Sequence, residues 1–183
     1  MALALSFAFP AWQAFATAKN PDGKEKTHLT ILQFNVLYTN EKLPNSIPWI
    51  IEQNADVVVL QEINHDRALE LGALQKHYPW SQIKLNKNRE AFGMAIFSKQ
   101  PITKFDYVDI GDGWNHYSLT ELSINGAKLH IYELHTPPPI SEEFFAQRNV
   151  SLKLLTDVIA KDPTPHRLLV GDLNCTIHSP YFR

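Results

Sequence analysis

Ser118–His135, SLTELSINGAKLHIYELH, is the stretch whose reading decides the fold. Asn125-Gly126 interrupts two runs of alternating character, and both residues tolerate the positive φ that a two-residue hairpin turn requires. A turn there sets Ile124 opposite Ala127, Leu122 opposite Leu129 and Thr120 opposite Ile131, which gives one mostly apolar face. The pairing is antiparallel.

Outward from this hairpin, four more short runs rich in β-branched or large apolar residues read as strands. They are Leu29–Val36 (LTILQFNV), Asp56–Glu62 (DVVVLQE), Gly93–Ser98 (GMAIFS) and Arg167–Asn174 (RLLVGDLN), while Lys128–His135 is the hairpin's second arm. Continuous apolar runs of this length suit strands buried on both faces. Three helices fit between them. Ser46–Gln53 carries Pro48 in its first turn, where proline is tolerated, and Asp66–His77 stops before Pro79. Ser141–Lys161 has Ser141 to cap it, Glu142 and Glu143 at the positive end of its dipole, and an apolar stripe of Phe145, Leu152, Leu155 and Ile159. Antiparallel strands with interspersed helices give a layered α/β sandwich in one domain, with no internal repeat.

Composition agrees and narrows the partners. The 183 residues are 44% apolar and carry a formal net charge of −2, which excludes disorder. The one cysteine, Cys175, excludes an internal disulfide and a cysteine-built zinc site. A pI near 6.4 argues against a broadly basic nucleic-acid surface but not against a small basic rim; Lys84, Lys87 and Arg89 read more readily as a solvated loop than as residues lining a phosphate backbone. Residues 1–18 (MALALSFAFPAWQAFATA) are apolar and uncharged, and residues 19–27 begin with a polar, turn-prone linker. Ala16-Thr17-Ala18 resembles a secretory cleavage site, although the basic n-region is missing. The other readings are the end of a membrane span and an apolar leader without a role. The expectation is a membrane-associated or exported protein, with a cytoplasmic place still open.

Strand after strand is apolar until its C-terminal end and stops there on a group able to hold metal or move protons. Asn35 ends the first, Gln61-Glu62 the second, His135 the fourth, and Gly171-Asp172-Leu173-Asn174 the last. Ligand sites of α/β sheets lie at that edge. Glu62 is a hard oxygen donor of the kind that holds Mg²⁺ together with waters and substrate phosphate. Asp172 and Asn174, two apart on a strand, leave the same face; the alternative is an Asx turn closing the strand.

Together these residues resemble the endonuclease/exonuclease/phosphatase family, the deoxyribonuclease-like Mg²⁺-dependent phosphoesterases. The resemblance is carried by Leu32–Val36, Ala55–Glu62, Gly93–Ser98, His135-Thr136-Pro137, Arg148, Val170–Asn174 and Ser179-Pro180. It implies a four-layer α/β sandwich, two mixed and largely antiparallel sheets with helices outside. It also implies that Glu62 is the principal ligand of Mg²⁺, or of Mn²⁺ in its place, with Asn35 its co-ligand or neighbour. His135 then binds the scissile phosphate and assists proton transfer, Asp172 orients or deprotonates the attacking water, and Asn174 positions water or phosphate. The substrate is a phosphoester, whether nucleic acid, phospholipid head group or small ester, and no obligate protein partner is implied.

Two departures from the family pattern stand out. Ile177-His178 replaces the proline that follows Asn174 by three residues in many relatives, and no Ser-Asp-His motif is present. Residues 28–183 are therefore expected to be the N-terminal portion of the domain, incomplete at the C-terminus and inactive alone. The reading from another class is a non-catalytic phosphate-binding module on the same fold.

Overall fold

A computed structural model describes residues 28–87, 89–109, 116–176 and 178–182; the leader 1–18 and the linker 19–27 lie outside them. In chain order the elements are β1 (Ile31–Asn35), α1 (Leu43–Glu52), β2 (Val57–Gln61) and α2 (His65–Glu70), which tightens into a 3₁₀ segment at Leu71–Lys76. There follow β3 (Trp80–Lys84), β4 (Met94–Ser98), β5 (Ile102–Asp109), β6 (His116–Ile124), β7 (Ala127–Leu134), α3 (Glu142–Lys161) and β8 (His166–Val170).

The strands form two mixed four-stranded sheets, ordered β1-β2-β4-β3 and β5-β6-β7-β8. In each, one edge pair is parallel (β1 with β2, β7 with β8) and the rest are antiparallel. Alternation along each strand then builds the layers. Val57 and Val59 of β2 meet Leu122 of β6 and Ile131 of β7 between the sheets. Val58 and Leu60 point the other way, onto Leu43, Ile47 and Ile50 of α1 and onto Leu71 and Leu74. Tyr132 and Leu134 of β7 pack outward onto Leu152 and Leu155 of α3. The order is helices, sheet, sheet, helix: a four-layer α/β sandwich. β2 is apolar from Val57 to Leu60 because both of its faces are covered.

The hairpin register is the expected one, with Ile124 opposite Ala127 and Thr120 opposite Ile131, and Asn125 and Gly126 both have positive φ (50° and 81°). The helices need correction. α1 begins at Leu43 rather than Ser46, so that Pro44 takes the first-turn place and Pro48 lies inside the helix. The wider span is held by Leu43, Ile47 and Ile50, which repeat at helical spacing and are all buried. On α3, Ser141 does cap the helix, its Oγ accepting from Phe144 N–H at 3.2 Å. Phe145, however, stands exposed against Tyr181, because Arg148 and Asn149 occupy the buried face at that end of the helix.

Candidate active site

β1 and β2 run parallel and end side by side, with Asn35 paired to Gln61. Glu62 then leaves the strand with φ 62°, and Leu37 just beyond β1 has φ 61°. The left-handed region costs a side-chain-bearing residue about 1–2 kcal/mol, and strain of this kind gathers at functional sites. Here it turns the Glu62 carboxylate back across the end of its own sheet. Oε1 accepts from Asn35 Nδ2 at 2.8 Å and Oε2 from Tyr38 N–H at 3.2 Å. Asn35 is itself fixed, its Oδ1 accepting from Leu37 N–H at 3.0 Å.

The second sheet supplies the other half. Glycine is required at 171, where φ is 131° and a Cβ would stand 2.0 Å from the Leu134 carbonyl oxygen. The chain turns there, so Asp172 and Asn174 do not share a strand face as expected. They form the Asx turn instead: Asn174 N–H donates to Asp172 Oδ1 at 3.1 Å, and Asn174 has φ 46°. Asp172 Oδ2 accepts from Asn35 Nδ2 at 3.2 Å, while Asn174 Nδ2 donates to the Thr136 carbonyl at 2.7 Å. Arg148 braces this turn from α3, Nη1 donating to the Asn174 carbonyl at 2.9 Å.

His135 closes the group. Its Nδ1 is 3.2 Å from the Ala91 carbonyl, which can only accept, so Nδ1 carries a proton. Nε2 then faces Glu62 Oε1 at 3.7 Å. Burial lowers the imidazole pKa, against the opposing pull of Glu62 and Asp172. Phe92 packs on the ring with centroids 5.2 Å apart. An open hollow of about 350 Å³, lined by Tyr38 and by Arg89 to Phe92, adjoins these groups.

All five residues singled out by sequence are thus brought together, with Asn35 donating to the carboxylates of both sheets. Sequence reasoning missed Tyr38 N–H and the Ala91 carbonyl, since backbone groups carry no residue signature. It also missed Glu133, a carboxyl with 2% exposure between the sheets. Burial pushes its pKa up to about 8, against the pull of the Ser118 hydroxyl and the Gln61 amide. Ser118 Oγ donates to Glu133 Oε2 at 3.1 Å, and Oε1 is left without a partner of good geometry. The hairpin pattern did hold a signal for it: one pair beyond Thr120–Ile131, the inner face carries Ser118 opposite Glu133.

Among the described residues, no three His, Cys, Asp or Glu side chains form a metal-holding group. Mg²⁺ asks for less, one or two carboxylates with waters and phosphate oxygens, and Glu62 with Asp172 beside it fits that donor set.

Residues 32–183 match the Endonuclease/Exonuclease/phosphatase family. The chain belongs to that family. Its members are phosphoester hydrolases, and the sandwich is their fold. The structure is similar to sphingomyelinase C from Streptomyces griseocarneus, with 23% identity and a TM-score of 0.68 over 86% of this chain and 68% of that one. A beta toxin mutant from Staphylococcus aureus, solved with bound magnesium ions, gives 22% identity and a TM-score of 0.69 over 85% and 68%. TDP2 from C. elegans gives 20% and 0.64 over 81% and 48%. At these identities the likeness carries the fold alone. The chain spans about two thirds of the bacterial neighbours' length and about half of the worm protein's. No curated protein sequence matches the chain. No helix among the described residues is long and apolar enough to cross a membrane.

Proposed function

We propose that this chain is the catalytic portion of a metal-dependent phosphoester hydrolase, with Mg²⁺ as its cation and Mn²⁺ as the substitute. The observation that carries the reading is the Asn35 amide, which joins Glu62 of one sheet to Asp172 of the other beside a buried His135. When bound, the cation supplies charge to offset the phosphate oxygens and acidifies water. Glu62 would hold it. Asn35 keeps the Glu62 carboxylate in place through Nδ2, since its Oδ1 is taken by Leu37 N–H. Asp172 directs the attacking water with the oxygen that Asn35 steadies, and Asn174 orders that carboxylate through its own N–H. His135, protonated on Nδ1, presents Nε2 to the cleft as the atom that takes up and returns a proton. The apolar stretch 1–18 supports a membrane-associated or exported location.

Isothermal titration of the full chain with Mg²⁺ tests the assignment, alongside the Glu62→Gln variant. Loss of the ligand charge should weaken Mg²⁺ at least about tenfold while circular dichroism stays unchanged. Equal affinity in parent and variant would move the site elsewhere. A panel of phosphodiesters representing a nucleic-acid strand, a phospholipid head group and a nitrophenyl ester then reads the substrate. Mg²⁺ and phosphate binding without turnover is expected of this portion alone and of the non-catalytic module alike, whereas turnover on any of them would exclude the module.

A further inference from the structure

Gln61, the last residue of β2, touches the backbone beside three of the site residues and has so far been given no role. Strand alternation continues from Val57 and Val59 and turns Gln61 inward between the sheets, where it is fully buried. Its Oε1 accepts from Asp172 N–H at 2.7 Å and from Gln33 Nε2 at 3.1 Å. Its Nε2 donates to the Leu134 carbonyl at 3.0 Å, and the same amide bears on the buried Glu133 carboxyl. Both acceptor sites of the amide oxygen are therefore used, and the nitrogen reaches across to the other sheet. Glu62 follows Gln61 in the chain, His135 follows Leu134, and Asp172 offers its own N–H. The approach is close enough that a Cβ at residue 171 would stand 2.7 Å from Gln61 Nε2.

We infer that Gln61 is the positioning residue of this site, the side chain that fixes the Asp172 and His135 limb on one sheet against the Glu62 limb on the other. Apolar contacts hold the sheets together but are non-directional, so they leave the relative placement of two strand ends loosely set. Hydrogen bonds are directional, and this amide makes them to the Gln33 side chain on β1 and to backbone groups at the end of β7 and in the turn after β8. A displacement of about 1 Å between catalytic groups can cost roughly a hundredfold in rate. Gln61 touches no reacting atom itself. The consequence for metal binding rests on the hydrolase reading; the clamp does not.

The test uses the full chain with Gln61→Met, which removes every bond of the amide at similar length, and Gln61→Glu, which keeps the acceptor for Asp172 N–H but, when ionised, cannot donate to Leu134. Mg²⁺ affinity is read by calorimetry, and the Asp172 amide and His135 ring by NMR. Gln61→Met should lose about ten- to a hundredfold in Mg²⁺ affinity with unchanged circular dichroism. Its His135 and Asp172 resonances should shift, and Gln61→Glu should fall in between. Lower melting temperatures with unaltered Mg²⁺ affinity and unmoved His135 and Asp172 signals would reduce Gln61 to packing and overturn the inference. If neither variant folds, hydrogen exchange of the parent decides: a protected Asp172 amide supports the clamp, and an unprotected one refutes it. A parent that binds no Mg²⁺ would defeat the metal reading, while the NMR comparison would still decide for or against Gln61.

Discussion

Replacing Glu133 by Gln should stabilise the protein at neutral pH and leave it unchanged in acid. The carboxyl has 2% exposure and hydrogen-bonds Ser118, and burial pushes its pKa from 4.5 up to about 8. In the unfolded chain it is ionised at pH 7, so folding must return a proton to it. Each pKa unit is worth about 1.4 kcal/mol, and the cost between 4.5 and pH 7 comes to about 3 kcal/mol. Because the folded value lies above the unfolded one, stability is full below about pH 4.5 and declines as pH rises toward 8. Glutamine keeps the shape, accepts the Ser118 hydroxyl, and has no proton to take up. Urea unfolding of parent and Glu133→Gln at pH 5, 6, 7 and 8 should therefore give curves that meet in acid and diverge steadily. A gap of about 1–3 kcal/mol at pH 7 is expected, the lower end allowing for relaxation around the charge. A parent whose stability does not fall relative to the variant between pH 5 and 8 would refute the reasoning.

Gly171→Ala should lower the melting temperature markedly: φ is 131°, and the new methyl would meet the Leu134 carbonyl at 2.0 Å. Strain of this kind costs on the order of 1–3 kcal/mol, so a thermal scan that matches the parent would contradict the described turn. His135 should titrate below the ordinary imidazole value of 6.5 in a metal-free NMR titration, because burial outweighs the two neighbouring carboxylates. In Glu62→Gln it should fall further, since that change removes a group that favours the charged ring; a rise would show that Glu62 does not act on His135.

What could be read from the sequence and what could not divide along a physical line. The hairpin register was legible because Asn125-Gly126 admits almost one turn geometry, and a one-residue slip would carry Leu122 and Ile131 to the wrong face. β3 (WSQIK) went unread because it is an edge strand. Its neighbours cover it on one side only, and its exposed Trp80 and Lys84 dilute the apolar signal that marks β2 and β4. The five candidate residues that the structure brings together were legible because each is a polar group near the point where a strand surfaces, an exception to its own apolar run. Their geometry was not, because it depends on backbone angles at Leu37, Glu62, Gly171 and Asn174 that only the assembled sheets impose. Strand periodicity says which face a residue occupies while the strand lasts, and β8 stops at Val170, one residue before the turn that builds the site. Gln61 marks the same limit from the other side. Its period places it inward correctly, but nothing local tells a buried glutamine that happens to be satisfied from one whose three hydrogen-bond partners lie 28, 73 and 111 residues away. Long-range bonds from a single amide can form only once both sheets are in register, so the site is completed by the packing rather than by any one strand.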